Sequence, residues 1–80
     1  MTHLQELKYN ILASLYFKSA TIDELMDRDF LKNTSQYGVE RMLMSLDVCG
    51  YIYYRGLEDR MYVYKAKARE TLNENGYEIN

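Results

Sequence analysis

Arg55 and Arg60 bracket Gly56, Leu57, Glu58 and Asp59, and Lys65, Lys67 and Arg69 follow shortly after. These cations are gathered against Glu58 and Asp59 alone, a local positive balance that suits an anion such as phosphate. Arg55 placed directly opposite Arg60 would cost about a few tenths of a kcal/mol unless an anion lay between them, or unless Glu58 and Asp59 neutralised the pair internally. A second set of chemistry-bearing residues is Ser35, Gln36, Tyr37, Glu40 and Arg41. A primary amide, a guanidinium and a carboxylate on one helix face can each make paired hydrogen bonds to a planar partner. A serine at a helix start, with its neighbouring backbone N–H groups, can hold a phosphate.

Catalytic chemistry is not indicated. His3 has no Ser or Cys that the pattern places near it, and Cys49 falls at the end of an apolar helical stripe, where a free thiol is expected in the core. One Cys and one His cannot supply a zinc site or an internal disulfide. Asp23, Glu24, Asp27 and Asp29 are better explained by the favourable end of a helix dipole than by a metal. Gly-rich phosphate loops, paired catalytic carboxylates and nucleophile elbows are missing, so the expectation is a protein that is not an enzyme and uses no cofactor, metal or small-molecule substrate.

The elements that must position these residues follow from periodicity. Leu4, Leu7, Ile11 and Leu15, with Leu12 beside them, mark a first helix over about 3–17, opened by a Thr2–Gln5 capping box. Thr21 and Glu24 repeat that signature before Ile22, Leu25 and Met26, predicting a second helix over about 22–29. Val39, Met42, Leu43, Leu46 and Cys49 predict a third over about 35–49, stopped by Gly50. If that helix buries its apolar stripe, Gln36, Tyr37, Glu40, Arg41 and Met44 face outward.

After Gly50 the period changes to two, and YIYYR and RMYVY read as a hairpin over 51–64. Pairing Arg55 with Arg60, Tyr53 with Tyr62 and Ile52 with Val63 divides the faces cleanly. Ile52, Tyr54, Met61 and Val63 occupy one side, and Tyr51, Tyr53, Tyr62 and Tyr64 the other. Such a tyrosine face would simply cover the sheet, or would suit a protein contact or stacked bases. The segment 65–80 carries a thin apolar pattern, with one or two helical turns about Leu72 closing at Gly76.

Three helices followed by a hairpin resemble the winged helix-turn-helix domain of small bacterial and phage transcription regulators. The likeness covers residues 4–64 and is carried by SQYGVERMLMSLDVCGYIYYRGLEDRMYVY, with Leu46, Gly50, Ile52 and Arg55 at the matching places. It implies a single α+β domain over 1–80, with the third helix in the major groove of double-stranded DNA and the hairpin as a wing gripping the backbone. Ser35, Gln36, Tyr37, Glu40, Arg41, Arg55 and Arg60 would make the contacts. Two copies on a palindromic site would set their readers about one helical turn apart.

The third helix departs from that pattern in carrying Glu40 and Asp47 against Arg41, and the whole chain, with a pI near 5.3, has the wrong sign for binding DNA by bulk charge. The competing expectation is therefore a winged-helix adaptor or inhibitor. It would bind protein through Tyr51, Tyr53, Tyr62, Tyr64 and the acidic second helix. Apolar runs broken every few residues by charge predict neither a leader nor a membrane span, hence a cytoplasmic protein.

Overall fold

The computed structural model describes residues 2–79; Met1 and Asn80, the ends of the expected domain, lie outside them. Among the described residues four α-helices, a short 3-10 turn and one antiparallel hairpin surround a core, an α+β architecture compatible with the winged-helix expectation.

Helix α1 (His3–Phe17) opens on the expected capping box. The Thr2 hydroxyl accepts from the Gln5 N–H at 3.1 Å, and the Gln5 side chain accepts from the Thr2 N–H at 3.1 Å. Its buried face is Leu7, Ile11, Leu12, Ala13 and Leu15, whereas Leu4 remains 66% exposed because the first turn runs past the edge of the core. The chain then extends, and Ala20 pairs with Tyr62 through two backbone hydrogen bonds of 2.7 and 3.3 Å. The hairpin thus gains a short third edge between α1 and the next helix.

Helix α2 (Ile22–Met26) has the same box, built by Thr21 and Glu24, but is shorter than expected. Arg28 takes an extended backbone and aims its guanidinium back at the Ser14 hydroxyl and the Lys18 carbonyl. A 3-10 turn at Asp29–Leu31 then delivers Leu31 to the core beside Leu25.

Helix α3 (Gln36–Val48) buries Val39, Leu43 and Leu46. Ser35 is its cap, accepting from the Gly38 N–H at 3.1 Å. Gly50, at φ 78°, terminates it in the left-handed region, where the Tyr51 N–H reaches back to the Leu46 carbonyl at 3.0 Å. Cys49 is exposed, not buried as its spacing suggested, because the last turn runs beyond the core and its carbonyl is bonded by Lys67 Nζ at 3.0 Å.

Strands β1 (Ile52–Arg55) and β2 (Met61–Tyr64) pair one residue out of the expected register: Ile52 faces Tyr64, Tyr53 faces Val63, Tyr54 faces Tyr62 and Arg55 faces Met61. The cause is Arg60, whose φ of 60° makes it an extra loop residue, its N–H bonded to the Arg55 carbonyl at 2.8 Å. A slip of one flips every β2 side chain to the other face. Ile52, Tyr54, Tyr62 and Tyr64 therefore share one side, and Tyr53, Arg55, Met61 and Val63 the other. The expected face of four tyrosines is not formed.

Helix α4 (Ala68–Glu74) buries Ala68 and Leu72. Gly76, at φ 92°, turns the chain so that the Tyr77 hydroxyl meets the Asn10 side chain and Ile79 reaches the core.

Candidate functional site

With Val39, Leu43 and Leu46 turned inward, a spacing of about 3.6 residues per turn leaves Tyr37, Arg41, Met44 and Val48 along the outer side of α3. Tyr37 and Met44 are each 67% exposed and Val48 is 88% exposed. Arg41 lies over Tyr37, its Nη1 donating to the phenol at 3.0 Å with the guanidinium 5.7 Å from the ring centre. The structure thus brings Tyr37 and Arg41 together near the exposed start of the helix, which Ser35 caps. The Ser35 hydroxyl is already engaged with the Gly38 N–H, so an anion there would meet backbone donors in competition with the cap.

Glu40 pairs with Gln36, apart from Tyr37 and Arg41. It is half-buried on the flank of α3 and accepts from Gln36 Nε2 at 3.3 Å. The Tyr62 hydroxyl has its pKa raised, by burial first and then by the fields of Tyr54, Glu40 and Asp47. Glu40 is therefore placed to orient Gln36. Met44 and Val48 extend the surface beyond the expected contact residues. Their signal in the sequence is the spacing 37, 41, 44, 48, an apolar stripe on the side opposite the core stripe.

On the hairpin, Arg55 and Arg60 do not face one another. Arg55 is held by Asp59, Nη2 to Oδ2 at 2.7 Å and Nε to Oδ1 at 3.2 Å, and the same carboxylate accepts from the Met61 N–H at 3.2 Å. Of the expected neutralisation by Glu58 and Asp59 only the Arg55–Asp59 half forms, and the opposed Arg55–Arg60 pair it was to offset does not exist. Arg60 is exposed and makes no ion pair among the described residues.

The tyrosines separate in the same way. Tyr54 and Tyr62 stack with ring centres 4.7 Å apart. Tyr64 lies edge-on to Tyr16, with its hydroxyl buried and without a hydrogen-bond partner among the described residues. Tyr51 accepts a hydrogen bond from the Thr71 hydroxyl at 3.0 Å. Tyr51, Tyr62 and Tyr64 are half-buried against the core, which leaves Tyr53 exposed on the outer side of the sheet.

Asp23, Glu24, Asp27 and Asp29 are all exposed. The Glu24 carboxyl is held below its usual range chiefly by the Thr21 backbone N–H it caps. Among the described residues no three His, Cys, Asp or Glu side chains come together as a metal site, and no helix is long and apolar enough to cross a membrane. No known protein family matches the chain, and neither a curated protein nor a solved structure matches it.

Proposed function

We propose that the chain is a winged-helix domain that binds double-stranded DNA and regulates transcription by occupying it. The reading rests on one observation above others. The first turns of α3 present exposed Tyr37 paired with exposed Arg41, and exposed Gln36 bonded to Glu40 on the adjoining stripe of the helix. The order of elements and the short third edge made by Ala20 on β2 support the same reading. In the major groove Gln36 would bond adenine and Arg41 guanine, each bidentate contact discriminating by about 1–3 kcal/mol. The intrahelical bonds of both side chains are solvent-exposed and exchange for base edges at small cost. Arg60 would grip a phosphate, with Arg55 beside it where Asp59 is displaced.

Few cations are offered to the backbone, so affinity should fall with salt at a slope of about 0.9 per phosphate neutralised. The test is selection of bound sequences from a random duplex pool, followed by salt titration of the selected site. Arg41→Ala should relax the preference at one position. Arg60→Ala should weaken all sequences alike and reduce the salt slope by about one. Failure to enrich any sequence, with no duplex binding at low salt, would overturn the proposal.

Tyr37, Met44 and Val48 favour a second reading, a protein-docking domain. Aromatic residues and Met are enriched in interface centres, and a reader of DNA has little use for three apolar side chains on its outer side. In that case Met44→Ala with Val48→Ala would abolish partner binding, and Arg60→Ala would spare it.

A further inference from the structure

A groove of about 360 Å³ runs between α1 and α3. Leu4 and Met42 line it, Lys8 and Arg41 flank it, and no carboxylate contributes to its walls. Glu40 and Asp47 of α3 do not line it. The groove is therefore apolar inside and positive at its rim, and its volume suits one or two side chains at the small end of ligand-sized cavities, about 300–1,000 Å³.

The matching surface is on the same chain. Phe30, in the 3-10 turn, is 39% exposed and stands outside the core cluster. Asp27 and Asp29 precede it and Asp23 is exposed on the same segment. Arg28, the cation among these acids, has its guanidinium bonded to Ser14 and the Lys18 carbonyl, not to Asp27 or Asp29. Lys32 follows two residues on and is outnumbered by the carboxylates.

We propose that two copies of this chain associate through reciprocal contacts, Phe30 of each seated in the α1–α3 groove of the other, with Asp27 and Asp29 against Lys8 and Arg41. A two-fold arrangement makes each contact twice, which suits an oligomer built from a small knob and a small groove. Both complementary halves are present on one chain, and an 80-residue core leaves much surface to cover. Arg41 belongs to the groove and to the proposed DNA-reading group alike, so the dimer would hold it away from a base edge. Association is measured without DNA, so its failure leaves the DNA reading standing.

Sedimentation of the full chain should show a monomer–dimer equilibrium that weakens as salt rises. Lys8→Glu with Arg41→Glu should weaken it at least about tenfold, and so should Asp27→Lys with Asp29→Lys, each variant keeping its native circular dichroism. An equimolar mixture of the two charge-reversed proteins should restore a dimer, because both contacts then pair opposite charges again. Phe30→Ser, which alters no charge, should weaken association independently. A wild-type chain monomeric up to about 1 mM at low salt, a dimer indifferent to both reversals, or a mixture that stays monomeric would overturn the proposal.

Discussion

Arg55 and Asp59 are joined by two hydrogen bonds, 2.7 and 3.2 Å, across the base of the hairpin loop, and the same carboxylate caps the Met61 N–H. One acid thus holds the guanidinium that would otherwise be free for an anion and also shapes the turn. Asp59→Asn should loosen the guanidinium while keeping an acceptor for Met61. Both partners are partly exposed, so the pair is worth at most about 1 kcal/mol, a fall in Tm of about 4–8 °C for a domain of this size. Duplex affinity should rise and its salt dependence steepen by about one ion. Calorimetry and a salt titration read the two effects separately, and unchanged affinity would remove Arg55 from the contact surface.

Arg60 combines a free charge with a strained backbone, φ 60° on a residue with a side chain. Left-handed geometry of this kind costs of order 1 kcal/mol, which glycine escapes and a β-branched residue makes worse. Arg60→Gly should hold or raise stability to urea, and Arg60→Val should lower it by about 1–3 kcal/mol. Both should lose the same amount of duplex affinity if the guanidinium is what binds. A Gly variant that loses stability would mean that the positive φ is not what sets the loop.

Tyr62, Tyr64 and Tyr77 all have hydroxyls whose pKa is raised, in each case first by burial. A folded pKa above the unfolded value means that the neutral phenol is favoured by folding. The associated stability is complete below about pH 10, the unfolded value, and is lost as pH rises through the folded values. Urea midpoints should therefore fall in alkali, and Tyr62→Phe should blunt the fall. Tyr64→Phe removes a hydroxyl that is buried without a partner among the described residues and keeps the ring against Tyr16, so at neutral pH it should be neutral or stabilising by about 1 kcal/mol. A loss of more than that would show that the hydroxyl is bonded in solution.

Cys49 is exposed at the end of α3. Alkylation of the folded protein should proceed within a few-fold of the rate in denaturant, without unfolding, and Cys49→Ser should leave the Tm within about 2 °C, as expected for a surface change. Protection by orders of magnitude would place the thiol in the core after all.

Local chemistry alone was enough for much of this molecule. Thr2 with Gln5 and Thr21 with Glu24 start helices wherever they stand, because a hydroxyl and an acceptor three residues on satisfy each other's backbone donors. Gly50 stops α3 because little else adopts its backbone angles, and the outward position of Gln36, Tyr37, Arg41 and Met44 follows from helical spacing. Hairpin register was not legible in that way. A loop of four or of five residues fits the composition of residues 56–60, and only the packing of Ile52, Tyr62 and Tyr64 against the helices, with Asp59 bonded to Arg55, selects the longer one.

The same dependence on distant partners explains the remaining differences. Helix α2 ends before Arg28, whose guanidinium turns to Ser14, Cys49 is exposed because the core ends one turn earlier, and Leu72 of α4 joins the core with Ile79 beyond it. Short-range patterns specify which way a side chain points from its own helix or strand. Whether another element is there to cover it is decided by contacts far apart in the chain, and these carry no local signature.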